Sequence, residues 1–203
     1  MIMVHGRGAT AKSILALSEE FQHQGLAFLA PQAAGYTWYP NSFLAPIASN
    51  EPWLSSALAV LAGLCGEIET NGPGLHRTAL LGFSQGACLT LEFAARNARR
   101  YGAVIGFTGG LIGPGGTPRD YPGSFHRTPV FLGSSDPDPH VPPPRVRETA
   151  EVLSAMGAEA TIRIYPGMGH TINRDEVDAA NALVAGMLED QVPPFRPRDG
   201  SGR

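Results

Sequence analysis

No apolar run in this sequence approaches the roughly 18 residues that a membrane-spanning helix needs. The opening Met1–Val4 is too short and too uncharged for a secretory leader. The basic residues form no block and the net charge is −3, which argues against nucleic acid as a partner. Cysteine is scarce, with only Cys65 and Cys88. Neither has metal-ligand spacing and both fall in apolar helical stretches, so two buried thiols in a reducing compartment are expected. Charged residues are only 16% of the chain and hydrophobic ones 43%, a balance that suits a compact globule with buried strands. A soluble cytoplasmic protein follows, a monomer or homodimer with no integral membrane contact and no metal. At 203 residues, one domain over residues 1–190 is expected. Residues 191–203 show no periodicity and are expected to form a mobile tail.

What the chain does have is alternation. Short apolar runs at Ile2–Val4, Leu26–Ala30, Thr78–Leu81, Ala103–Phe107, Thr128–Leu132 and Ala160–Tyr165 read as strands. Helical patterns lie between and after them, at about 11–24, 53–69, 87–95, 144–156 and 174–189. Thr10 is placed to cap the first helix. This order predicts an α/β fold, a mainly parallel sheet of about six strands with helices on both faces. Two loops stand out. Residues 32–51 hold Tyr36, Trp38, Tyr39 and Phe43, too aromatic for a disordered segment. Residues 108–125 are rich in glycine and proline, which excludes a stable lid helix because those residues cost roughly 1 and 3 kcal/mol each in a helix interior.

The chemistry concentrates at Thr78–Cys88. A short apolar strand runs into Gly82-Phe83-Ser84-Gln85-Gly86 and then into an apolar helix. Strand, tight turn and helix around Gly-x-Ser-x-Gly is the context of a nucleophile elbow. The pentapeptide alone is weak, since a chain this rich in glycine yields roughly 0.2 chance matches. Its neighbours strengthen it. His5-Gly6-Arg7, Ser84, the loop with Asp136 and Asp138, and His170 all fall at carboxyl ends of predicted strands, the edge of a parallel sheet where ligands bind.

A serine hydroxyl needs a base to take its proton, and that base needs an acceptor to hold its tautomer and its charged form. The order Ser84, aspartate loop, His170 is that of an α/β-hydrolase. The oxyanion needs backbone N–H donors. Gln85, next to the nucleophile, supplies one, and Arg7 in the glycine-rich turn after the first strand supplies the other. Of the remaining histidines, His23, His76 and His126 read as surface or structural, and His5 as a hydrogen-bonding support under the oxyanion turn. His140 is expected at the pocket mouth, with Trp38, Tyr39, Phe43 and Met168 as further lining. Asp136 and Asp138 share one loop, and periodicity does not separate them.

His5-Gly-Arg-Gly8, Gly82-Phe-Ser-Gln-Gly-Ala87, Asp138-Pro-His-Val-Pro142 and Gly167-Met-Gly-His170 together resemble the phospholipase/carboxylesterase family of α/β-hydrolases. The likeness runs from about residue 1 to 190, and four motifs in order are far more specific than any one. It implies that Asp138, followed by Val141-Pro142, is the acid, and that Asp136 shapes the loop by accepting backbone hydrogen bonds. The first strand has no hairpin before it, so six strands are expected where the family has eight. The loop 32–43 is similar to the bacterial carboxylesterase branch. The resemblance implies a serine carboxylesterase acting on a small-molecule, short- to medium-chain ester without a cofactor. Lysophospholipid or thioester cleavage is the alternative, and a non-catalytic binding protein a more distant one.

Overall fold

The computed structural model describes residues 1–21 and 23–189, so the expected tail at 191–203 lies outside the described residues. Among the described residues, five parallel strands form one sheet in the spatial order β1 (Ile2–Val4), β2 (Ala79–Phe83), β3 (Ala103–Phe107), β4 (Pro129–Asp136), β5 (Glu159–Pro166). The strand expected at Leu26–Ala30 is the correction: it is reduced to a single parallel bridge between Leu29 and Ile2. Leu29 gives its carbonyl to the Met3 amide and its amide to the Met1 carbonyl, and no more. Its neighbour β1 is only three residues long, which leaves no longer ladder to pair with; Leu26, Phe28 and Ala30 still pack half-buried against the core, while Leu29 is 43% exposed. The other strands begin and end within a few residues of their sequence bounds.

Strands β1 to β4 are buried on both sides and their side chains alternate between two cores, whereas β5 at the edge has no fully buried residue. Ile2, Val4, Leu80, Val104, Val130 and Leu132 pack under α2 (Trp53–Asn71), α3 (Gln85–Arg96) and α4 (Pro143–Ala155). Met3, Leu81, Ile105, Phe107 and Phe131 face the other way, onto α1 (Ala11–Leu15) and α5 (Arg174–Glu189). Thr10 caps α1 in a reciprocal capping box with Ser13. The helix expected to reach residue 24 is α-helical only to Leu15 and then tightens into a 3-10 turn, Ala16–Glu20. That turn delivers Phe21 to the core, where it is 2% exposed. Residues 108–125 carry no helix. They are held instead by polar anchors: Glu92 accepts from the Ile112 amide and the Tyr121 hydroxyl, and Arg145 donates to the Leu111 and Gly113 carbonyls.

One buried carboxyl is expected to make folding pH-dependent. Glu176 closes a capping box at the start of α5, accepting from the Asn173 amide and donating its own amide to Asn173 Oδ1. Its side chain lies fully buried against Gly133, where a Cβ would sit 2.1 Å from Glu176 Oε1. Burial raises its pKa from 4.5 to about 7, the Asn173 amide opposing the shift. A carboxyl whose folded pKa lies above its unfolded value favours folding while protonated. Stability is therefore expected to fall by ~3 kcal/mol as pH rises from 4.5 to 7 and then to level. Glu176→Gln keeps the capping acceptor and should flatten that slope in urea titrations at pH 5 and pH 8. An unchanged slope would place the titration on another group.

Candidate active site

The elbow is built by sequence that leaves no room for alternatives. Ser84 follows β2 with φ 55° and ψ −121°, a backbone state that side chains other than glycine avoid. Its amide donates to the Phe107 carbonyl, and its carbonyl accepts the Cys88 amide inside α3. A Cβ at Gly82 would lie 2.4 Å from the Gly86 carbonyl oxygen, and one at Gly86 would lie 2.1 Å from that of Val4. The motif is thus a packing requirement: β1, β2 and α3 touch there through backbone alone.

His170 and Asp138 meet Ser84 at the same edge of the sheet. His170 Nε2 is 2.8 Å from Ser84 Oγ, and His170 Nδ1 is 2.9 Å from Asp138 Oδ2. With Nδ1 donating to the carboxylate, Nε2 is the free acceptor facing the hydroxyl. The Asp138 side chain is fully buried and that of His170 is 19% exposed. Burial alone would raise the Asp138 pKa. The amides of Val141 and His140, both 2.7 Å from Oδ1, and the imidazole of His170 outweigh it and hold the carboxyl below its ordinary value. Asp136 is the last residue of β4 and is exposed. The loop-shaping role expected of it falls to Asp138, which accepts those two amides as well as the imidazole. The reason is placement: two residues beyond the strand the chain has turned inward over the sheet edge.

Arg7, Ser84 and Gln85 all line the same pocket. Among the described residues neither the Arg7 nor the Gln85 backbone N–H has a protein acceptor, as an oxyanion site requires. Their side chains have a further role that no motif signals. The Arg7 guanidinium donates to the carbonyls of Tyr39, Pro40 and Asn41. Gln85 donates to Tyr39 O and accepts from the Trp38 amide and the Thr37 hydroxyl. Both residues therefore grip one segment, 37–41. His5 lies beneath, its Nε2 accepting the Ala33 amide while Nδ1 donates to the Gly6 carbonyl. Ser135 was also missed: its hydroxyl takes the Gly169 amide, tying the histidine loop to the end of β4.

The pocket over Ser84 has a volume of about 430 Å³. Tyr39, Phe43 and His140 line it as expected, and the His140 ring stands edge-on to His170 at 4.8 Å. Trp38 and Met168 do not line it. Trp38 is 4% exposed and turns its indole N–H to the His5 carbonyl, because a buried Trp must satisfy that donor. The Met168 sulfur accepts from Asn173 Nδ2 instead. Cys88, one turn along α3, forms part of the floor, and burial pushes its thiol up to about 12. Cys65 and Cys88 are both free and buried.

A parallel sheet covered on both faces, with a serine, a histidine and an aspartate linked in that order at its carboxyl edge, defines an α/β-hydrolase. The chain belongs to the phospholipase/carboxylesterase family, whose profile matches residues 1–187. A phospholipase/carboxylesterase structure from Dyadobacter fermentans is 46% identical with a TM-score of 0.87, over 91% of this chain and 88% of that one. Among curated proteins, an acyl-protein thioesterase 1 from Gibberella zeae is 31% identical over 59% of this chain. That match spans only 50% of the Gibberella protein's length. An acyl-protein thioesterase 1 from Eremothecium gossypii is 26% identical over 97% of this chain and 91% of its own. No described helix is long and apolar enough to cross a membrane.

Proposed function

We propose that this protein is a cytoplasmic serine carboxylesterase that hydrolyses short- to medium-chain carboxylic esters through an acyl-enzyme. The relay at 2.8 and 2.9 Å, with Ser84 held at positive φ, carries the reading. Ser84 Oγ attacks the ester carbonyl as its proton passes to His170 Nε2. The carbonyl oxygen becomes an oxyanion facing the Arg7 and Gln85 amides. Asp138 holds the Nδ1–H tautomer and stabilises the imidazolium. The imidazolium then protonates the departing alcohol, leaving the acyl group on Ser84. Water attacks that ester, giving its proton to His170, and the acid leaves as Ser84 recovers its hydrogen.

The fungal thioesterase relatives favour a second reading, acyl-thioester cleavage by the same steps. A pocket of about 430 Å³ is toward the small end of the range for small-molecule sites and supports the shorter esters. The absence of a helix over residues 108–125 supports activity on dissolved monomers. The discriminating experiment is kcat/KM for p-nitrophenyl esters from acetate to palmitate, with an acyl-thioester and a lysophospholipid alongside. A maximum between acetate and octanoate, with no jump at the micellar concentration, is expected. A maximum at palmitate, or a rate that rises only on aggregated substrate, would contradict the short-chain reading.

The grip of Arg7 on segment 37–41 gives a second test. Arg7→Met keeps the backbone amide and removes three carbonyl contacts. Deleting an oxyanion donor costs about 10²–10³ in kcat, so loosening one should cost roughly tenfold. The loss should appear in kcat with KM little changed. A change confined to KM would make Arg7 a binding residue.

A further inference from the structure

A second cavity, of about 450 Å³, adjoins the first. The two share Gly6, Ala9 and Phe83, so they meet along the turn after β1 and the residue preceding the nucleophile. The second has its own walls in Ile14 and Leu17, on α1 and the 3-10 turn after it, and in Ile172, two residues past His170, with His5, Ser13 and Glu20 as its polar lining. Leu17, Phe83 and Ile172 pack against the core yet remain only half-buried. Apolar surface left open beside a reacting serine suits the apolar part of a ligand.

The tetrahedral intermediate fixes which part. Its oxyanion faces the two amides, and its leaving oxygen must reach His170 Nε2. The acyl limb stays bonded to Ser84, which with Gln85 and Cys88 lines only the first cavity. Neither Ser84 nor His170 lines the second cavity, but the Phe83 ring that borders both cavities lies 5.4 Å from the His170 ring, so the second cavity begins one ring away from the base. Resting on the serine-esterase reading, we propose that the second cavity is a leaving-group subsite. It takes an apolar alcohol limb, aromatic or branched, while the acyl limb occupies the first. The natural substrate is then an ester with bulk on both sides of the carbonyl.

The test varies the alcohol at fixed acyl group. Leu17→Trp should fill the cavity and lower kcat/KM for benzyl butyrate about tenfold, leaving methyl butyrate within about twofold. Both esters form the same butyryl-enzyme, so pre-steady-state traces should show slower acylation by benzyl butyrate and unchanged deacylation. Leu17→Ala, which enlarges the cavity, should change the benzyl-to-methyl ratio and leave the ratio of methyl hexanoate to methyl butyrate alone. Equal losses on both butyrates, a loss that tracks acyl length, or an unmoved ratio in Leu17→Ala would overturn the subsite while methyl butyrate turnover keeps the esterase reading. No ester hydrolysis by the wild type would overturn both.

Discussion

Ser84→Ala is expected to remove ester hydrolysis, with a fall in kcat on the order of 10⁶. The variant loses the hydroxyl placed 2.8 Å from His170 Nε2. The elbow should survive the change. Its geometry comes from Gly82 and Gly86, from the Phe107 carbonyl that takes the Ser84 amide, and from the start of α3. Alanine tolerates φ 55° about as poorly as serine, so the strain is common to both and the melting point should move little. The check is p-nitrophenyl acetate turnover by pure protein with a native melting curve. Turnover near the wild-type rate would end the serine mechanism.

Asp138→Asn is expected to lower kcat by about 10⁴, the cost when a triad carboxylate loses its charge and offers the wrong group to the imidazole. An amide N–H turned toward Nδ1 would favour the tautomer with its proton on Nε2, which cannot accept from Ser84. The carboxamide oxygen of the variant can still take the His140 and Val141 amides, so the loop should hold its shape. Asp136→Asn is expected to cost less than a few-fold, because that side chain is exposed at the end of β4. Steady-state kinetics on both variants decides between them. A large loss at Asp136 with a small one at Asp138 would reverse the assignment.

These two aspartates also mark the limit of sequence reading. Strand periodicity puts the acid loop after β4, but it has no power over two aspartates separated by one proline. Likeness to the family's Asp-x-x-Val-Pro selected Asp138, and the hydrogen bonds to Val141, His140 and His170 supply the physical reason. Ser84 and His170 were legible because a parallel sheet gathers all its strand ends on one edge, whatever the separation in sequence. The strand at Leu26–Ala30 was over-read, since an apolar run does not reveal that its partner β1 offers only three residues to pair with. Trp38 was misplaced for a related reason. Aromatic loop residues can face a pocket or the core, and only the His5 carbonyl waiting for an indole N–H decides it. The side-chain grip of Arg7 and Gln85 joins residues 32 to 48 positions apart, which no local pattern encodes.

Covalent capture of the nucleophile tests the account most directly. The protein would be treated with a small alkyl fluorophosphonate, and adduct mass, site and residual activity followed together. One phosphonyl group per chain is expected, on the peptide that contains Ser84, with esterase activity falling in step with labelling. Asp138→Asn should label far more slowly at the same residue. Labelling at another side chain, or full modification of Ser84 with activity intact, would contradict the claim that Ser84 is the nucleophile.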